Sequence, residues 1–289
     1  MKSFAKTVPK VSDRGVALIA VLWLVYAMGL IITGVVQAVR SEVRTAGVQR
    51  QMVVGSALGD AAILLALQTQ NALKTEPQAA MQLVPVQFEG VAYSVAVWPL
   101  NGLIDINNAS ILLLADLYRY GGELSPDASQ LLAQSTVDTR QLKDAKGAIE
   151  RFDAKEDLLR VPGMTYDLYA KVQALVTAEL KESSGRVNAL AAPSGVLRIL
   201  SGGDVARAAV LESRRNADPS AMDTTFLKPE YLDMVPSRSL RFQVQIDLPD
   251  GSALLRAWHV YRGDDPRSGL PWRVVAKEQS MKLPAQPSN

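Results

Sequence analysis

The fold is decided by the stretch Arg14–Val39, RGVALIAVLWLVYAMGLIITGVVQAV, in which no charged side chain follows the first arginine. About 20 apolar residues in a helix span the hydrocarbon core of a bilayer. The four basic residues that precede or open the stretch are Lys2, Lys6, Lys10 and Arg14, against a single acid, Asp13. A basic flank of this kind stays in the cytoplasm. The sequence therefore predicts a transmembrane helix over 16–39, with the rest of the chain outside.

Three interpretations of this stretch are open. The first is a plain signal anchor. The second is a cleaved secretory signal that ends at Val36-Gln37-Ala38, although the apolar run here exceeds the roughly 7–15 residues of such signals. The third interpretation rests on Gly15, which separates the basic leader from the apolar run. This arrangement resembles the class III leader of type IV pilins and pseudopilins. The resemblance implies cleavage between Gly15 and Val16, with the helix as the mature N-terminus.

The composition narrows the function classes. The chain has 289 residues, 48% of them hydrophobic, and a net charge of +2, so no strong field favours a polyanionic partner. It has no cysteine, which excludes disulfides, thiol catalysis and cysteine-based metal sites. Any site that requires histidine depends on His259 alone.

The helical pattern continues beyond the membrane segment. Apolar residues recur with helical spacing from Val48 to Ala66, and no proline occurs between Arg40 and Pro77. We expect one long helix from about 16 to 75, whose outer part lies on a domain.

Two sets of strand patterns lie far apart in the sequence. A hairpin is predicted over 82–98 around Glu89-Gly90, and alternating strands are predicted over 239–278. A two-stranded hairpin is marginal alone, so both pieces are expected to form one sheet on the long helix. The expected fold is α+β, with a leader at 1–15 and a pilin-like domain from 40–100 and 237–280. The block 101–236 is expected to be a helical insertion, and 281–289 a disordered tail.

Three motifs lie in the helical block. Asn101–Ser110, which contains Asp-Ile-Asn-Asn, and Gly185–Pro193 are interpreted as turns that enter helices. The segment Phe152–Ala170 resembles a helix-hairpin-helix around Val161-Pro162-Gly163-Met164-Thr165. Its charges are nearly balanced, which is unfavourable for nucleic-acid binding, so a rigid helical hairpin is expected.

The sequence gives little support for catalysis. His259 lies in an alternating strand, and no serine or aspartate is placed by spacing to complete a triad with it. Glu156 and Asp157 fit a solvated helix face. Asp264 and Asp265 form an acidic pair in a loop, the simplest candidate for a calcium site, but without a third ligand at a fixed spacing.

The order of these features resembles the K-type minor pseudopilins of bacterial type II secretion systems. The segments that carry the resemblance are the leader, Asp105–Asn108, Leu158–Thr165, Gly185–Asn188 and Ala192–Leu197. The family continues its second turn as N-x-N-T-A-P, whereas Asn188 is followed here by Ala189-Leu190-Ala191. This departure leaves turn formation as the expected role of those polar groups.

The resemblance implies the pseudopilin fold with a large inserted all-α domain and no enzyme activity. It implies a single-pass inner-membrane protein with its C-terminal domain in the periplasm, at the tip of a pseudopilus that exports folded proteins across the outer membrane. The implied partners are I-type and J-type minor pseudopilins, the major pseudopilin, and prepilin peptidase, which cuts after Gly15 and methylates Val16; nucleic acid is not among them. The family is also described as binding calcium, for which Asp264 and Asp265 are the candidate ligands.

Position 20 supports a place at the tip. Pseudopilins usually carry glutamate at the fifth mature position, where it pairs with the N-terminal amine of the neighbouring subunit already in the filament. With Val16 as the first residue, that position is Ala20. A buried amine without a partner is costly, so a subunit that lacks this glutamate is suited to be first and to lie at the tip.

Two other functions stay open from the residues. One is a membrane-anchored nucleic-acid-binding protein of a DNA-uptake apparatus, which would use Val161–Thr165. The other is an anchored enzyme that uses His259.

Overall fold

The computed structural model describes residues 13–74, 76–143, 147, 149–180, 182–219 and 222–284. Helix α1 runs from Asp13 to Ala72, close to the expected helix. The chain divides into two compact units at Val54, so only the end of α1 from Gly55 onward belongs to the second unit. Residues 1–12 of the predicted leader lie outside the described residues.

One antiparallel sheet joins the two distant sets of strands. Its order is β1-β2-β5-β6-β7, with β8 also paired to β6. The strands are β1 (Gln82–Phe88), β2 (Val91–Pro99), β5 (Ser239–Asp247), β6 (Ala253–Arg262), β7 (Trp272–Lys277) and β8 (Met281–Leu283). Strands β2 and β5 pair directly, with Val97 opposite Phe242. The prediction of one sheet built from both pieces is confirmed.

The β1–β2 hairpin and its edge follow from local chemistry. Glu89 and Gly90 both have positive φ, at 50° and 78°, as a two-residue hairpin turn requires. Strand β1 is an outer strand of the sheet and contains Pro85, whose missing N–H is tolerated at such an edge.

The inserted block packs around its own core. Its helices are α2 (Ile111–Asp116), α3 (Pro126–Thr139), α4 (Tyr166–Val172), α5 (Ser194–Leu200) and α6 (Val205–Ala217), with a π-helical turn over Leu117–Gly121 and 3₁₀ turns over Lys155–Arg160 and Pro229–Tyr231. A further 3₁₀ turn over Leu100–Gly102 leads into it. Fully buried side chains at its centre include Ile104, Leu114, Tyr118, Leu158 and Leu197. Ser125 caps α3 by accepting from the Ala128 N–H at 3.3 Å, with Pro126 in the first turn as predicted.

The block differs from a purely helical insertion in one feature. Strands β3 (Ile104–Asp105) and β4 (Val176–Thr177) form a short parallel ladder at its entrance. Helix α4 ends at Val172, and the chain then turns to reach this ladder. The first helix of the expected helical hairpin is a 3₁₀ turn over Lys155–Arg160.

The C-terminal prediction is wrong for the first residues of the expected tail 281–289. Met281–Leu283 forms β8, with Leu254 opposite Lys282. The open backbone edge of β6 offers these residues hydrogen bonds that no side-chain pattern reveals. Residues 285–289 lie outside the described part of the chain.

Candidate functional site

The apolar half of α1 presents its side chains outward. From Leu18 to Leu30 every residue is exposed, including Leu22 at 71% and Trp23 at 68%. Ala20 lies on this exposed stretch. Gly15 and Val16 lie in the first turns of the helix, and their side chains are outside the described set. An uncharged apolar helix without cover requires lipid or other chains around it.

Length and composition alone single out a different part of α1 as able to cross a membrane. That segment is Thr45–Ala72, while Leu18–Leu30 passes only as a shorter apolar helix among the described residues. Side chains in Thr45–Ala72 are partly buried, and Ala62, Ile63, Ala66 and Leu67 belong to the core beneath the sheet. One candidate for a single-pass anchor is therefore present in α1. The docked end of α1, from Gly55 onward, is apolar because it packs within the domain. Packing within the domain does not explain the exposed apolar half from Leu18 to Leu30.

The docked end of α1 meets the sheet through Gly59 and Asp60. A Cβ at Gly59 would lie 2.8 Å from the Cβ of Arg256, so the helix and strand β6 approach at the limit of contact. Next to it, Asp60 Oδ1 accepts from Arg256 Nε at 2.6 Å and from Trp258 Nε1 at 2.9 Å. Lys277 Nζ lies 3.5 Å from Asp60 Oδ2 and 3.8 Å from the centre of the Trp258 ring. These contacts fix the rotation on the sheet of the end of α1 from Gly55 onward.

The sequence analysis did not identify Asp60, although a signal was present. It is the only charged residue between Arg50 and Lys74. A single acid in an otherwise uncharged amphipathic helix indicates a partner on the domain that the helix covers.

A second polar cluster joins the inserted block to the sheet through His259. Its Nδ1 contacts Glu179, just after β4, and its Nε2 lies 2.8 Å from Glu278, just after β7. Arg241 of β5 donates to Glu278 from Nε at 2.5 Å and from Nη2 at 2.8 Å. This arrangement is an ion-pair network, and within the described residues it places no serine beside the imidazole for nucleophilic chemistry.

Protonation supports that network. Burial disfavours the imidazolium, but hydrogen bonds to Glu179 and Glu278 outweigh it and raise the pKa of His259. Burial likewise works against ionised Glu278, yet the hydrogen bonds from Arg241 and His259 hold the pKa of that carboxyl well below its usual value. The cluster is therefore a network of charged side chains, here called the clasp at His259, that joins the inserted block to the sheet.

The Asp-Ile-Asn-Asn turn closes the entrance to the block. Buried Asp105 accepts from the Asn107 N–H at 2.9 Å and from the Asn108 amide at 2.5 Å. Asn107 pairs with the backbone of Phe152 in both directions, each at 2.9 Å. The turn therefore binds its own helix entry and a segment 45 residues away.

The second turn does more than the sequence predicted. Asn188 is fully buried, and its amide donates to the Ala79 carbonyl at 2.6 Å while its backbone N–H donates to the Asn101 carbonyl at 2.8 Å. It thus ties the block to the chain just before β1. The interpretation of Asn188 as a turn former alone is incomplete.

The helix-hairpin-helix-like segment has a compact turn. Gly163 has φ +92°, and the Met164 N–H is taken by the Val161 carbonyl at 3.0 Å. Thr165 caps α4 at 3.2 Å from the Leu168 N–H. Arg160 is occupied by Glu150 and Asp157. This geometry supports a rigid hairpin.

Asp265, one of the acidic pair in the loop after β6, has hydrogen-bond partners within that loop. Asp265 Oδ1 accepts from the Arg267 N–H at 3.2 Å and Oδ2 from the Ser268 hydroxyl at 2.8 Å. The Ser268 hydrogen bond lowers the pKa of Asp265. Asp264 is exposed, and nowhere in the described ranges do three acidic or histidine side chains gather as metal ligands. Calcium binding stays a prediction from the resemblance.

Comparison with known proteins supports the fold. No protein-family model matches the sequence, and no curated protein matches it significantly. The structure is similar to a chain of the crystal structure of the GspK-GspI-GspJ complex from the enterotoxigenic Escherichia coli type 2 secretion system. The match covers 83% of this chain and 99% of that chain, with a TM-score of 0.50 and 16% sequence identity. At this identity the match shows the α+β pseudopilin fold.

Proposed function

We propose that this chain is a K-type minor pseudopilin that forms the tip of a type II secretion pseudopilus. The observation that carries the proposal is the fold likeness to a chain of the GspK-GspI-GspJ complex across nearly its full length. In this role the protein has no enzyme activity and supports the export of folded proteins from the periplasm across the outer membrane.

The assembly surface is the exposed half of α1. Its apolar side chains lie in the inner membrane before assembly and against the helices of other pseudopilins afterwards, as their exposure requires. The membrane span is 16–39, with the basic leader in the cytoplasm and the domain in the periplasm. Prepilin peptidase cuts after Gly15 and methylates Val16.

Ala20 supports the place at the tip. It offers no carboxylate to the amine of a subunit added above it, whereas the N-terminal amine of Val16 can pair with the glutamate carboxylate of the subunit below. The inserted block adds a steric barrier to stacking, since it packs a separate core on the pilin-like sheet.

Co-purification tests the proposal most directly. Residues 40–289 should form a complex with the I-type and J-type minor pseudopilin domains encoded in the same genome. Retention of this fragment on DNA at low salt, without complex formation, would instead identify a nucleic-acid-binding protein of an uptake apparatus. A fragment that binds neither would overturn the assembly proposal.

The mature N-terminus gives an independent test. Mass spectrometry of the native chain should find methylated Val16 as the first residue. An intact Met1 would identify a plain signal anchor, and a start after Ala38 would identify a cleaved secretory signal.

A further inference from the structure

A polar cleft lies where the two connections between sheet and inserted block meet. It has a volume of about 310 Å³ and lies among Asn101 on the first connection, Glu182–Arg186 of the block, and Asp233–Ser239 on the second connection. Two of the lining residues, Ser237 and Ser239, are buried. A volume of this size holds roughly ten waters or one to two amino-acid residues, since a water occupies about 30 Å³ in the liquid.

The two acids of the cleft already have partners. Asp233 accepts from the Ser184 hydroxyl at 2.5 Å on one oxygen and from the Val235 N–H at 3.1 Å on the other. Glu182 accepts from the Tyr261 hydroxyl at 3.2 Å. Each carboxylate therefore has a hydrogen-bond partner within the protein.

Unlike the acids, the two arginines of the cleft have side chains without a partner among the described residues. Arg186 and Arg238 line it and are exposed, and among described residues neither guanidinium has an ion pair or a hydrogen bond. Elsewhere in the block, Arg140 donates to the Ile106 carbonyl at 2.9 Å and Arg198 to the Tyr120 carbonyl at 2.6 Å. Both guanidinium groups of the cleft are therefore available to a ligand.

Two serine hydroxyls add to the donors. Ser183 Oγ accepts from the Gly185 N–H at 3.1 Å, and Ser237 Oγ accepts from the Ser239 N–H at 3.1 Å. Each oxygen is held by a local backbone donor, which leaves its proton available to a ligand. The cleft thus offers guanidinium and hydroxyl donors to an acceptor-rich anion.

We propose that this cleft binds a carboxylate of another polypeptide, an acidic side chain or a free C-terminus, between Arg186 and Arg238. A carboxylate accepts two parallel N–H bonds from a guanidinium, and the cleft is large enough for the residue that carries it. Because the ligand would contact the block and the second connection together, it would also hold the block against the sheet.

The test uses the full chain in detergent and two peptides measured by calorimetry. One is an N-acetylated tripeptide ending in glutamate, and the other is the same peptide with glutamine and a C-terminal amide. We expect the acidic peptide to bind at least about 10-fold more tightly than the amide, as loss of charge-assisted hydrogen bonds predicts.

Substitutions identify the site. Arg186→Gln and Arg238→Gln should each weaken binding of the acidic peptide by about 10-fold, while Arg186→Lys, which keeps the charge without the fork, should lie between. Arg267→Gln, in the exposed loop after β6, is the matched control and should leave the affinity unchanged. Unchanged thermal unfolding of each variant excludes misfolding as the cause.

Three results would overturn the proposal. They are equal affinity for both peptides, an affinity that both glutamine variants retain, and inorganic phosphate binding as tightly as the acidic peptide with the same dependence on Arg186 and Arg238. The last result would assign the cleft to small inorganic anions.

Discussion

The two halves of helix α1 differ in how they are covered. From Leu18 to Leu30 all side chains are exposed and apolar or uncharged, and beyond Gly55 the helix buries Ile63 and Leu67 and pairs Asp60 with Arg256. One continuous helix therefore combines a segment whose contacts lie within the domain with a segment whose contacts must come from a membrane or other chains. The two halves differ in whether the domain buries their side chains, and not in their hydrophobicity.

Core truncation in the docked half has the largest expected effect. Ile63 is fully buried, so Ile63→Ala should lower the free energy of unfolding by about 2–5 kcal/mol through lost burial and an unfilled cavity. The matched change in the exposed half is Leu24→Ala, at a side chain that is 64% exposed, with an expected effect within about 0.5 kcal/mol. Urea unfolding of the full chain in detergent measures both. Similar losses of unfolding free energy for the two variants would mean that the two halves are equally buried.

The next largest effect is expected at Asp60, the charged residue of the docked half. Asp60→Asn removes the charge that Arg256 and Lys277 face, and should lower the free energy of unfolding by about 2 kcal/mol. Asp250→Asn is the control, because Asp250 pairs with Lys282 at 2.6 Å on the surface, where such pairs contribute about 1 kcal/mol or less. An equal effect at both positions would show that Asp60 contributes no more than an ordinary surface pair.

The strands and the long helix could be predicted from the sequence because their signals are local. The alternation of Leu240, Phe242 and Val244 and the turn at Glu89-Gly90 each report on a few neighbouring residues. The contacts of Asp60 with Arg256 and of His259 with Glu179 join residues 196 and 80 positions apart. The lone charge of Asp60 indicates that it has a partner, but no pattern along a single chain identifies which distant residue that partner is, so these clusters were not predicted.

The same limit explains the smaller errors. Strand β8 has only three residues and forms because β6 offers an edge, and β3 and β4 have two residues each. Elements this short carry no measurable periodicity. The cleavage at Gly15 and the role of Ala20 concern partners outside this chain, and they stay predictions.

The clasp at His259 gives a pH-dependent contribution. The pKa of His259 is raised in the folded state, so the stabilisation is complete below the unfolded value of 6.5 and is lost as the pH rises through the folded value. The groups that face the imidazole are Glu179, Glu278 and, through Glu278, Arg241. Unfolding of the native chain should therefore become easier above pH 6.5, and His259→Gln should remove this dependence.

The titration can be read directly, because the chain has a single histidine. The imidazole NMR signal of the full chain in detergent should titrate at a higher pH than that of the urea-unfolded chain. Glu179→Gln should return the midpoint toward the unfolded value. A midpoint at or below the unfolded value would mean that burial outweighs the two carboxylates and that no charged clasp forms.

The smallest expected effect on folding, and the sharpest test of the exposed half, is Ala20→Glu. Ala20 lies on the uncovered helix surface, so the free energy of unfolding of the domain should change by less than about 0.5 kcal/mol. If the missing carboxylate assigns this subunit to the tip, the variant gains a partner for the amine of an incoming subunit, and copies should appear along the filament when immunogold labels overproduced pseudopili. Labelling that stays at filament ends would show that the inserted block, by steric exclusion, sets the position regardless of residue 20.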